Sequence, residues 1–94
     1  MTDGIQEKTT PKPGHVRSVW DNGGRTIDRY TVVIEQDMGK DLWAMLGLSE
    51  DPERGFSQFG ECTEGTHLGK RIQWEDMPEK VRRHAAARMD GDDD

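Results

Sequence analysis

Asp21-Asn22-Gly23-Gly24-Arg25-Thr26-Ile27-Asp28-Arg29-Tyr30-Thr31 is the stretch whose reading decides the fold of this 94-residue chain. Asn22-Gly23-Gly24 supplies residues that accept positive φ, as tight primed turns require. The flanks 16–20 and 27–34 carry the β-branched and aromatic side chains that suit a pleated sheet. The stretch therefore predicts a β-hairpin, and in its second strand Thr26, Asp28 and Tyr30 point to one face while Arg25, Ile27, Arg29 and Thr31 point to the other.

A two-stranded hairpin is marginal in water and needs a further strand or a helix. After a turn over 36–41, Leu42-Trp43-Ala44-Met45-Leu46 reads as a third strand reaching Leu48, or as a short helix ending at Gly47; an apolar run this short has no decisive period. Residues 49–66 read as a long irregular segment broken by Pro52, Gly55, Gly60 and Gly65 and anchored by Phe56 and Phe59. In 67–74 the apolar residues Leu68, Ile72 and Trp74 fall at even spacing with Lys70 interrupting them, the pattern of an edge strand.

The C-terminal element is the clearest helix. Asp76 is the expected N-cap before Met77-Pro78, and Met77, Val81, Ala85 and Met89 recur every four residues along one stripe, with His84 beside it. Acids at its start and bases toward its end complement the helix dipole. The expected fold class is α+β: a small antiparallel sheet, the hairpin plus one or two further strands, packed against one C-terminal helix. Trp20, Trp43 and Trp74 are the expected centre of its core.

Length allows one domain, and 31% apolar against 34% charged residues keeps its core small. The boundaries read as a flexible polar tail over 1–14, the domain over 15–89 and an acidic tail over 90–94. Of the net charge of −6, Asp90, Asp92, Asp93 and Asp94 carry four units. Residues 35–64 hold eight acids against two bases and 65–89 six bases against three acids, which implies two faces of opposite sign. A lone Cys62 forms no intramolecular disulfide, and no apolar run reaches the length of a membrane span or a secretory segment; a cytoplasmic setting is the simplest expectation.

No catalytic constellation stands out. Cys62 is flanked by Glu61 and Glu64, which raise a thiol pKa, and His15, His67 and His84 lack zinc-ligand spacing, so neither a metal nor a cofactor is expected. The 22–26 turn exposes N–H groups but leads into a strand and matches no phosphate-binding motif. The overall acidity argues against nucleic acid despite Lys70, Arg71, Lys80, Arg82, Arg83 and Arg88.

What exceeds the needs of a turn is its polar string. Arg25, Asp28 and Arg29, completed by Ser57, Gln58 or Lys70, are the candidate binding residues, with cross-strand ion pairing to Arg17 or to a loop as the structural alternative. Glu50, Asp51, Glu53, Glu61 and Glu64 form a candidate acidic surface able to imitate nucleic-acid charge. An enzymatic reading requires Asp28, Cys62 and His67 to converge in one pocket.

The 21–31 stretch, Ser49-Glu50-Asp51-Pro52 with Gly55-Phe56-Ser57-Gln58, and His67-Leu68-Gly69-Lys70-Arg71-Ile72 before Asp76-Met77-Pro78-Glu79 resemble, in that order, a family of short uncharacterised proteins encoded by bacteriophages, plasmids and other mobile elements. The resemblance covers about residues 16–89 and departs from the family at Asp51, where Asn is usual, and in a shorter spacing from Pro52 to Gly55. It implies a genomic setting, with no reaction, cofactor or catalytic residue to carry over. The leading expectation is an accessory, non-catalytic module that binds a host or phage protein through the 49–66 loop and the hairpin turn. An acidic inhibitor of a nucleic-acid-binding protein and an enzyme acting on small molecules or nucleotides are the alternatives.

Overall fold

The computed structural model describes residues 10–51 and 57–89. Five strands, β1 (Val16–Asp21), β2 (Tyr30–Gly39), β3 (Leu42–Leu48), β4 (Ser57–Cys62) and β5 (Lys70–Ile72), precede one helix, α1 (Glu79–Met89). All pairings are antiparallel, and the sheet order is β4-β3-β2-β1-β5. The fold is thus a small α+β domain with its helix on the sheet, and Leu42–Leu48 is a strand.

Strand parity divides the sheet into two faces. Val19, Val32, Leu46 and Leu48 share one face, where they pack with Tyr30, Trp74 and Met77 under Val81 and Ala85 of α1. The stripe expected along the helix is therefore the buried one, with Met89 packed at its margin. Ser18, Trp20, Thr31 and Val33 lie on the other face and are also buried, so the three tryptophans have no common centre. Trp74 belongs to the helix-side core, Trp20 is buried on the far side, and Trp43, half-buried there, carries the Arg17 guanidinium 3.9 Å from its ring centroid.

Several local expectations are corrected. The tight two-residue turn sits at Lys40-Asp41, both at positive φ (55° and 66°), between the paired residues Gly39 and Leu42. Asn22-Gly23-Gly24 instead opens an eight-residue loop, because Asp21 already pairs with Tyr30 and the Asn22 N–H donates to the Arg29 carbonyl at 2.9 Å. Residues 27–29 are consequently not strand. The segment 49–66 is not irregular throughout: β4 forms inside it, with Gly60 its single glycine, because β3 offers it a full ladder of partners. The strand expected over 67–74 shrinks to Lys70–Ile72, flanked by 3₁₀ turns at Thr66–Leu68 and Trp74–Asp76, though it is an edge strand as its composition implied. Asp76 does not cap α1; its carboxylate accepts from the Gln73 N–H at 2.9 Å, closing the 3₁₀ turn before Pro78.

From the N-terminal segment, Thr10 is tied to the domain. Its hydroxyl and N–H donate to the Glu79 carboxylate and its carbonyl accepts from the Trp74 indole at 2.8 Å. No helix among the described residues is long and apolar enough to cross a membrane.

Candidate functional site

The 22–29 loop is built by its own polar side chains. The Asn22 carboxamide accepts from the N–H groups of Gly24 and Arg25 at 2.8 and 3.0 Å, and donates to the Thr26 hydroxyl and the Asp28 carbonyl. Gly23 and Gly24 take positive φ there (77° and 88°), which is what their sequence pattern offers. Ile27, in this loop, has 65% of its surface exposed.

The candidate binding residues do not form one patch. Asp28 folds back over the sheet face that carries Thr31, so its carboxylate lies above Gly47 and accepts from the Gln58 amide at 3.2 Å. This corrects the strand parity that grouped Asp28 with Tyr30. Arg29 goes the other way and grips Asp21 with a two-bonded fork, Nε–Oδ1 2.8 Å and Nη2–Oδ2 3.2 Å, while Nη1 reaches Glu50 at 2.9 Å. That fork holds the Asp21 carboxyl below the usual carboxylate range, and the two acids push the Arg29 pKa up. Lys70 pairs in register with Asp21 and belongs to this second group. Ser57, next to Gln58 but on the helix face, is hydrogen-bonded at 2.8 Å to His84 of α1. No local spacing links Ser57 to His84, although His84 lies beside the apolar stripe that turns toward the sheet.

Arg17 pairs with Glu35 and Glu64, at 3.1 and 3.0 Å, and not with Asp28. Burial raises the Glu64 pKa, but the Ser18 hydroxyl and Arg17 outweigh it and leave it lowered. In the candidate acidic surface, Glu50 is paired with Arg29, Asp51 with Lys80 at 3.5 Å and Glu64 with Arg17. Glu61 lies on β4, and Glu53 falls outside the described residues. Burial, and then Glu64, push the Cys62 thiol up, away from the range of a reactive thiolate.

Three open concavities meet at the loop. One of about 600 Å³ lies between Arg25, Ile27 and Arg29 and the strand-end residues Ser49, Glu50 and Asp51. The buried Ser49 hydroxyl lining it has no hydrogen-bond partner among the described residues. A second, of about 380 Å³, is lined by Thr26, Ile27, Asp28 and Gln58. The third, of about 470 Å³, gathers Asn22, Arg25, Asp28, Thr31, His67 and Leu68; Cys62 is not part of its lining. Among the described residues no group of His, Cys, Asp or Glu is arranged to hold a metal ion.

Compared with protein-family models, with curated proteins and with solved structures, the chain matches none.

Proposed function

We propose that this chain is a non-catalytic protein-binding module, an accessory protein of the phage and mobile-element kind, with the 22–29 loop as its recognition element and a host or phage protein as its partner. One observation carries the reading: three concavities converge on a loop that exposes Ile27 and holds Asp28 in place beside it. An exposed aliphatic side chain beside a positioned carboxylate is the composition of a small protein contact, and loops on a rigid sheet commonly supply such contacts. Arg29 takes a structural part in this reading, because its donors are spent on Asp21 and Glu50.

The test is affinity capture from host or infected cells with the full chain and with the Arg25→Ala, Ile27→Ala, Asp28→Ala variant. The partner is expected to be lost while the thermal midpoint moves little. Capture that survives the triple change overturns the reading.

A second reading, a site for a small polar ligand, is favoured by one observation: Asp28, Arg25 and His67 line the same concavity. Ligand screening by thermal shift, repeated on His67→Ala, tests it. The acidic-inhibitor reading loses support because Glu50, Asp51 and Glu64 each sit against a cation.

A further inference from the structure

The two edges of the sheet are treated differently. β5, at one edge, has three residues and presents Lys70 and Arg71, the short length and cationic side chains that discourage further strand pairing. β4, at the other edge, has six residues, Ser57-Gln58-Phe59-Gly60-Glu61-Cys62, with no proline, no lysine and one charge. Among the described residues no strand covers its outer side, and Phe59 is 50% exposed upon it.

We propose that β4 pairs antiparallel with β4 of a second copy of this chain, about a two-fold axis at Phe59, joining two five-stranded sheets into one. A symmetric pairing must bring residues of the same face together, and β4 places Ser57, Phe59 and Glu61 on the helix face with Gln58 and Gly60 on the other. Centred on Phe59, the pairing sets the two Phe59 rings opposite each other and Glu61 of each copy opposite Ser57 of the other. Gln58 then faces Gly60, where no side chain opposes it.

The same pairing aligns charge. Glu61 of one copy arrives beside Ser57 of the other, whose hydroxyl is bonded to His84, and Arg88, already 5.2 Å from the Phe59 ring centroid, flanks the aromatic pair. Registers to either side are worse. A pairing centred on Gly60 sets each Phe59 opposite Glu61 and loses the aromatic pair, one centred on Glu61 opposes two like charges, and one centred on Gln58 shortens the ladder and loses the aromatic pair.

Sedimentation equilibrium on the full chain tests this. The wild type is expected at twice the 10.7 kDa of one chain, and Phe59→Lys, which sets two cations face to face on an exposed position, at the mass of one chain. In a Cys62→Ser background, Phe59→Cys is expected to form a disulfide between copies on mild oxidation, while Arg71→Cys on β5 at the opposite edge of the sheet does not; this measurement does not depend on the lysine variant folding. A wild type that stays at the mass of one chain up to millimolar concentration overturns the proposal. So does a dimer that persists in Phe59→Lys or fails to cross-link through position 59. Because mass and cross-linking are read without any partner, failure here is distinct from failure of the proposed loop contact.

Discussion

The Asp28 carboxylate occupies the space above Gly47 that a side chain would fill: a β-carbon on Gly47 would stand 3.1 Å from Asp28 Oδ2. A glycine in the middle of β3 costs the strand stability in isolation, so its presence is coupled to a residue that lies far from it in sequence and belongs to the exposed loop.

That coupling predicts a double-mutant cycle. Gly47→Ala should destabilise the protein by about 1–2 kcal/mol through overpacking and displace Asp28 from Gln58. In an Asp28→Ala background the same change should be neutral, or stabilise by up to about 1 kcal/mol, since only the strand preference remains. Urea unfolding of the four proteins measures it; additive effects would show that Asp28 and Gly47 are not coupled.

Acid should weaken the fold in a residue-specific way. The Asp21 and Glu64 pKa values are lowered in the folded state, so their stabilisation is present above the ordinary carboxylate range near about pH 4 and is lost as pH falls through the lowered values. Asp21→Asn should therefore melt below the wild type at neutral pH, with the two midpoints converging on the acid limb. Thermal melts across that range check it, and curves that stay parallel would remove Asp21 from the account.

Gly69 is the least replaceable glycine described. Its φ is +115°, and a β-carbon there would overlap the Asp21 carbonyl and lie 2.6 Å from Asn22 Cα. Gly69→Ala should cost about 3 kcal/mol or more, combining left-handed strain with a backbone clash at the root of the 22–29 loop. Circular dichroism and thermal unfolding read the loss directly.

The Lys40-Asp41 turn runs the other way. Both residues hold positive φ without being glycine, a conformation that costs an L-residue about 1 kcal/mol or more, and Asn-Gly is the pair such turns prefer. Lys40→Asn with Asp41→Gly should raise the thermal midpoint by the equivalent of about 1 kcal/mol. No rise would mean that the turn is held by the strands at no local cost.

How far the sequence could be read differs by element for a physical reason. The β-branched and aromatic residues flanking the turn and the four-residue spacing of Met77, Val81, Ala85 and Met89 are local patterns, and they determined the hairpin strands, the helix and its buried face, whereas the apolar run from Leu42 left strand and helix open until its pairing with β2 made it a strand. The Asn22-Gly23-Gly24 signal was equally local, and it placed a turn correctly while misjudging its length. Only long-range pairing fixed that length, by joining Asp21 to Tyr30.

The tertiary structure alone decided the rest. A glycine-rich segment became β4 because β3 had a free edge, Lys70–Ile72 closed the sheet beside β1, and Arg29 left the polar string to grip Asp21 and Glu50. Asp28 was visible in the sequence as a polar residue beyond what a turn needs. Its position over Gly47, within reach of Gln58, follows from β3 and β4 lying side by side, a relation between distant segments that no local spacing encodes.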